Sequence, residues 1–226
     1  MLKRIIGPLI FGLGGLAILL ALGFWQVARL EWKTGIIADI ESRIHAAPVM
    51  VPEAPNPDTD RYMPVTITGA YDGEAAHVLS SQREQGTGSH VIAVLDADDG
   101  RRLLVDRGFM SDAARINADL TAADVTVTGN LLWPIDSDSF TPPPDLNRNL
   151  WFSRDIDPIA EYLGTERVMI VARTDLPGSV GLTPVPINTA DIKNDHLGYA
   201  ITWFSLAFVW AVMTAILLWR NRRNTA

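Results

Sequence analysis

Two stretches without charge, one at each end, constrain everything between them. Residues 5–24, IIGPLIFGLGGLAILLALGF, and residues 197–219 contain no Asp, Glu, Lys or Arg. At about 1.5 Å per residue, a helix of about 20 such residues spans the ~30 Å hydrocarbon core of a bilayer. The chain reads as a membrane protein with two transmembrane α-helices, N- and C-terminal, flanking an extracytoplasmic domain. Lys3 and Arg4 precede the first span, and Arg220, Arg222 and Arg223 follow the second. The positive-inside bias then puts both termini in the cytoplasm and the main domain outside. A cleaved signal peptide also begins with basic residues, but its apolar core is only about 7–15 residues long, so the first span reads as a retained anchor. The first residues are not an Arg- and Ser-rich presequence, which favours a bacterial inner membrane with the domain in the periplasm.

Charge and cysteine narrow the chemistry. Five of the 19 Lys and Arg lie in the terminal flanks while all 26 Asp and Glu lie between the spans, so residues 25–196 carry a net charge of −12. That excludes nucleic acid as a partner and disfavours docking of the domain on anionic lipid; contact with lipid is confined to the spans. With 0 Cys there is no disulfide framework, thiolate metal site or thiol nucleophile, and the 6 Met are scattered, unlike a copper carrier.

The organisation follows from changes in periodicity. Residues 1–24 form the cytoplasmic N-terminus and first span. The stretch WQVARLEWKTGIIADIESRIHA keeps Trp25, Trp32, Ile36, Ile40 and Ile44 at helical spacings, which predicts that the helix continues over residues 25–46. Pro48, Pro52, Pro55 and Pro57 then mark a linker over 47–62. From Met63 the period drops to two: VTITGAY, HVLSSQ, HVIAVLDA, RRLLVDRGF and VTVTGNLLW read as antiparallel strands, with Asp99-Gly100 as a hairpin turn. A Pro-rich loop follows, then a short helix with Asp157 as its cap and Pro158 as its first residue, and RVMIVART returns to strand. Residues 63–193 are thus expected to form one β-rich (α+β) domain, a small antiparallel barrel or sandwich. Residues 194–226 are the second span and its basic tail.

Motifs of catalysis are missing. No G-x-S-x-G, G-x-x-x-x-G-K or H-E-x-x-H occurs, and GTGSH at 86–90 sits between strands rather than between a strand and a helix. The chain is expected not to be an enzyme. His45, His77 and His90 fall in three different predicted elements and read as surface or satisfied core residues. His196 differs, because it stands one residue before the second apolar run. On a helix it shares a face with Tyr199 or Ala200, and with Trp203, Ala207 and Trp210. One reading makes these aromatic residues ordinary anchors at the headgroup level. The other makes the imidazole an axial ligand for a flat, greasy, metal-centred molecule such as haem. On the first helix Gly14, Ala17 and Ala21 suggest a small-residue seam that Trp25, Arg29 and Trp32 continue; Arg29 either pairs with a propionate or simply holds the helix at the surface.

Four segments, LGFWQVARLEWK (22–33), LLVDRGF (103–109), NLWFSRDI (149–156) and HLGYAITWFSLA (196–207), resemble the signature blocks of the Surfeit locus protein 1 family of cytochrome c oxidase assembly factors. The resemblance runs over nearly the whole chain. GSHVIAVLD and RGFMS depart from the usual family pattern around the third strand and after the Arg-Gly pair, which touches details of the domain surface. The resemblance implies a non-catalytic helper in building the haem-containing catalytic subunit of a haem-copper oxidase. It implies haem a as an exchangeable cofactor bound through His196 as the axial ligand of the iron, with Trp203 of the same block nearby. Tyr199, Arg29 and Trp25 complete the expected site. The oxidase catalytic subunit, and haem a synthase as donor, are the partners it suggests. The alternative is a membrane-anchored periplasmic module that grips an oxidase subunit without holding haem, with Arg107 and Arg154 either contacting that partner or paired structurally with local Asp residues.

Overall fold

The computed structural model describes residues 2–82, 85–174, 181–190 and 192–223, with side chains from residue 6 onward. The side chains of Lys3 and Arg4, used above to orient the first span, lie outside the described residues. The elements in order are α1 (Leu2–Ile44), β1 (Val49–Met50), β2 (Pro64–Gln82), β3 (Gly86–Ala97), β4 (Arg102–Ser111), α2 (Asp112–Arg115), β5 (Ala122–Leu132), β6 (Leu150–Trp151), α3 (Ile156–Leu163), β7 (Met169–Ala172), β8 (Leu182–Thr183) and α4 (His196–Arg223). They fall into two compact units, Ile40–Asn188 and the combination of Met1–Asp39 with Thr189–Ala226. Two apolar helices, at the two ends of the chain, are long enough to cross a membrane and flank a sheet-rich α+β domain.

In the β unit, β2 pairs with β3, β3 with β4, β4 with β7 and β7 with β5, and β5 pairs back onto β2. The sheet closes, so of the two architectures expected the barrel is the one formed. Its pairings are mixed rather than wholly antiparallel: β4–β7, β1–β2 and β2–β6 run parallel. Period-two patterning reports which face a residue occupies and carries no information on strand direction, which is why the sequence missed this.

Closure explains the composition of the strands. Val91, Ala93 and Leu95 of β3 face the barrel interior with Val65, Leu103 and Val127, while Ile92 and Val94 face outward. The outward side is covered by Ile156, Ile159 and Leu163 of α3 together with Trp151. Both faces are buried, so VIAVL reads as a continuous apolar run. At roughly 1.5–3 kcal/mol for each large side chain removed from water, these two clusters supply most of the drive to fold the unit.

Three local expectations are corrected. VTITGAY and HVLSSQ are one strand, β2, whose register shifts between Tyr71 and Ala75. Gly73 at the shift has φ of 95°, a conformation that favours glycine, and the bulge bends the strand so that its first part pairs with β5 and its second with β6. The expected linker is partly sheet: Val49 and Met50 pair with Val65 and Thr66, a two-residue edge that Pro48 and Pro52 on either side do not prevent. The N-cap position of the short helix is Asp155, not Asp157, without a side-chain capping hydrogen bond, and Pro158 lies at the helix's third position. Proline fits anywhere in the first turn, where the missing N–H would be unpaired in any case, so it does not fix the start to one residue. The Asp99-Gly100 turn is present, with Gly100 at φ of 87° and its N–H donating to the Ala97 carbonyl at 2.9 Å.

The helical extension ends at Ile44 rather than Ala46. The Ile44 carbonyl, one of the acceptors a helix end leaves unsatisfied, takes a hydrogen bond from the Asn130 side chain at 3.1 Å and another from Arg173. Asn130 is itself buried, donates also to the Tyr62 carbonyl at 2.8 Å and accepts from Arg173 Nε at 2.8 Å.

His77, buried on β2 with Nδ1 3.3 Å from Ser89 Oγ, is held neutral: burial, assisted by the positive charge of Arg115, pushes its pKa down to about 4. The unfolded imidazole titrates near 6.5, so between these values the unfolded chain binds a proton that the folded chain refuses, and stability must fall as pH falls. Denaturant unfolding of the full chain in detergent should show a loss of roughly 2–4 kcal/mol between about pH 6.5 and 4 that His77→Gln lacks. An identical pH slope in the two proteins would contradict this.

Candidate functional site

The helical unit is built on glycine. α1 lays Gly12, Gly15 and Gly23 against α4, and each receives one large side chain. A Cβ at Gly12 would collide with Thr214, one at Gly15 would lie 2.5 Å from the Trp210 indole, and one at Gly23 would lie 2.6 Å from the Phe204 ring. Trp210 Nε1 donates to the Gly12 carbonyl at 2.9 Å, and Phe24 meets Phe204 edge-on with centroids 5.3 Å apart. From α4, Ala200 and Ala207 are buried in the same seam. His196, Ala200, Ala207, Trp210 and Thr214 thus repeat at alternating steps of three and four, or their sum, the pattern of a left-handed helix pair.

The expected seam of Gly14, Ala17 and Ala21 is out of phase. A Cβ on Gly14 would meet nothing within 4 Å, and Ala17 and Ala21 are exposed. Small residues permit close approach but do not select a phase when a helix carries several; the large residues opposite select it. This shift moves the rest of the expected site. Trp25 and Trp32 are 57% and 52% exposed, and the Arg29 guanidinium lies 3.8 Å from the centroid of the Trp32 ring. Tyr199 is 57% exposed, so Ala200 and not Tyr199 shares the His196 face. The structure brings His196 and Trp203 onto one face, Trp203 partly buried about two turns along, and leaves Trp25, Arg29 and Tyr199 exposed.

What it brings instead is Gln26. Three residues beyond Gly23 on the same face of α1, this side chain is 8% exposed and its Oε1 lies 2.7 Å from His196 Nδ1. An amide oxygen only accepts, so His196 Nδ1 carries the hydrogen and donates it. Nε2 is left with its lone pair. The sequence reading passed over Gln26, although one uncharged polar side chain within an apolar helical stretch is a usable signal. Beside the pair, Asn194 donates to Thr34 Oγ1 at 3.4 Å, and its Oδ1 is buried without a hydrogen-bond partner among the described residues. Farther along the helices a groove of about 410 Å³ is lined by Gly15, Ile18, Leu19, Leu206, Val209 and Trp210.

In the β unit the DRGF and WFSRD segments meet around one buried carboxylate. Asp106, 1% exposed, accepts from the Gly108 N–H at 3.0 Å and lies 3.2 Å from His90 Nδ1; its other oxygen is 3.6 Å from Arg154 Nη1. Arg154 Nε donates to Asp136 at 2.8 Å. Burial works against the Arg154 charge, but Asp136 and Asp106 outweigh it and hold its pKa up. Arg154 is therefore structurally paired, although its partners are distant in sequence rather than local. Arg107 is buried, donates to the Leu120 carbonyl at 2.7 Å and lies 4.2 Å from the centroid of the Tyr71 ring. Gly108 between them has φ of 103°, and a Cβ there would strike the Thr183 carbonyl. His90 and Asp106 had no recognisable spacing in the sequence; the β3–β4 register joins them.

These features define a class: a protein with two apolar helices of membrane-spanning length, a closed β-barrel domain between them, and a histidine set by an interhelical hydrogen bond. The sequence model of the SURF1 family matches residues 13–208. Surfeit locus protein 1 of Rattus norvegicus is 29% identical over 82% of this chain and 67% of its own length, and that of Homo sapiens is 29% identical over 82% and 69%. A SURF1-like protein of Rickettsia felis is 29% identical over 92% of this chain and 93% of its own. The chain belongs to the SURF1 family.

The seam makes a positional prediction. Gly23→Val should destabilise the helix pair by about 1–3 kcal/mol through overpacking against Phe204, while Gly14→Val stays within about 0.5 kcal/mol of wild type. Unfolding in mixed detergent micelles measures both, and equal effects would contradict the seam.

Proposed function

We propose that the protein is a non-catalytic assembly factor for haem-copper cytochrome c oxidase, which holds haem a through His196 and passes it to the haem-containing catalytic subunit. We place it in a bacterial inner membrane with both termini cytoplasmic and the barrel periplasmic. The orientation is supported by Arg220, Arg222 and Arg223 in the last turn of α4, and the bacterial membrane by the likeness to a Rickettsia protein.

One observation carries the haem reading: the Gln26–His196 hydrogen bond occupies Nδ1 and leaves Nε2 as the ring's ligating atom. The residues present suit the group. His196 is only partly buried, so Nε2 can be reached, and the helices beyond it offer apolar surface. Haem a supplies an iron that accepts an axial imidazole and a hydrophobic tail that prefers lipid or an apolar groove. His196 would supply the ligating nitrogen, with Gln26 orienting its ring and Trp203 shielding one side from water. The groove that includes Leu206 begins about 15 Å of helix rise from His196 and suits an alkyl chain. Arg29, Trp25 and Tyr199 receive no role in this account. A single ligand on a partly open helix end favours a bond that exchanges, which delivery requires.

The test is the visible spectrum of protein purified after co-expression with the enzymes of haem a synthesis. Wild type should carry haem a and His196→Ala should lose at least nine-tenths of it; unchanged content in the variant would remove His196 from the site.

A second reading, partner gripping by the barrel domain, is favoured by the loop between β5 and β6. Ile135 and Phe140 are 86% and 91% exposed on a loop whose turns are hydrogen-bonded: Asp155 accepts from the Asp136 and Ser137 N–H groups at 2.7 and 3.3 Å, and Asp138 accepts from the Phe140 N–H at 2.8 Å. A rigid display of this kind lowers the entropic cost of binding a protein partner. Replacing both with Ser should reduce co-purification of the oxidase catalytic subunit at least fivefold while haem content stays constant. Undiminished co-purification would count against it.

A further inference from the structure

Gln26 does more in this arrangement than seat a ring. Its helix, α1, and that of His196, α4, approach closely at this level because Gly23, one turn before Gln26, leaves room for Phe204. Gln26 is 8% exposed and its amide oxygen lies 2.7 Å from Nδ1, so the contact is short and largely screened from water. The acceptor is a neutral amide. A carboxylate at this position would draw the Nδ1 proton towards itself, give the ring imidazolate character and strengthen the bond from Nε2 to a ferric iron; an apolar residue would leave the two neutral tautomers to compete, with half or more of the rings presenting the wrong nitrogen.

Resting on the haem reading above, we propose that Gln26 is the positioning residue that sets the strength of the axial bond: it fixes the ligating tautomer of His196 while withholding the electron push of a carboxylate, so that the bond forms but releases. Because the acceptor comes from one helix and the donor from the other, only the paired helices hold the ring in the one tautomer that presents Nε2 for ligation. The device is thus part of the helix pairing itself, and a protein in which the pair is splayed holds haem weakly.

The experiment uses the full chain in detergent, as wild type, Gln26→Glu and Gln26→Leu, with purified haem a as the probe. Three readouts are taken: the ¹⁵N chemical shifts of the His196 ring in haem-free protein, the midpoint potential of the loaded protein, and the rate at which haem passes to apomyoglobin. Wild type should show one tautomer with hydrogen on Nδ1, and Gln26→Leu a mixture with haem affinity lowered about two- to fivefold, in proportion to the share of rings that present the wrong nitrogen. Gln26→Glu should bind haem but release it about tenfold more slowly, and favour the ferric form by about tenfold, a fall in potential of about 59 mV for a one-electron couple. Haem bound through His196 with potential, release and ring shifts indifferent to residue 26 overturns this inference alone. A wild-type protein that takes up no haem overturns the haem reading together with it, so the two failures are distinct. A loss of affinity in Gln26→Leu with the wild-type tautomer retained also overturns it, since the effect would then be one of packing.

Discussion

Close approach of two helices at glycine is the constraint on which the functional reading depends. In hydrocarbon there is no water to expel, so helices associate through dispersion contacts and hydrogen bonds, and both need short interaxial distances. Gly12, Gly15 and Gly23 provide the distance, and Thr214, Trp210 and Phe204 fill the space. Two interhelical hydrogen bonds, Trp210 to the Gly12 carbonyl and His196 to Gln26, sit toward opposite ends of this seam. A methyl group at Gly23 would press on Phe204 one turn from Gln26, so the chemistry of the histidine is tied to packing that never touches it.

The barrel answers a different physical demand. A small domain without any Cys cannot rely on disulfides and must obtain its stability from burial. Closing the sheet removes most of its edge and buries β3 on both faces, against the barrel interior and against α3. The cost is a buried carboxylate, Asp106, held by His90, Arg154 and the Gly108 N–H. Removing one cation from such a cluster would leave charge uncompensated in a dry setting, which is destabilising out of proportion to the attraction lost. The same network fixes the base of the loop that displays Phe140, because Arg154 holds the Asp136 side chain and Asp155 accepts from the Asp136 and Ser137 backbone N–H groups.

Much of this was legible in the residues. Two spans, a helix that outruns the first of them, a β-rich middle, the Asp99-Gly100 turn and the distinct standing of His196 all follow from periodicity and charge, because each is a property of one segment. What the sequence hid was relational. The choice between Tyr199 and Ala200 depends on the partner helix, as does the choice between Gly14 and Gly12. The parallel pairing of β7 with β4, and the meeting of His90, Asp106 and Arg154, depend on sheet register. Gln26 stood inside one of the segments that carried the family resemblance, and its lack of charge set it apart from Arg29, but which of the two meets α4 depends on the opposite helix.

The phase of the helix seam is the claim on which the rest turns, and the absence of native cysteine makes it directly measurable. Cysteine pairs introduced into native membranes at Gly12 with Thr214, and separately at Gly14 with Thr214, are oxidised and scored for intramolecular cross-linking. The account predicts rapid disulfide formation by the Gly12 pair and little by the Gly14 pair, since a Cβ at residue 12 stands 3.1 Å from Thr214 Cβ and one at residue 14 faces open space. Cross-linking that is equal for the two, or faster at Gly14, would mean that the helices meet on another face and that Gln26 and His196 are not partners.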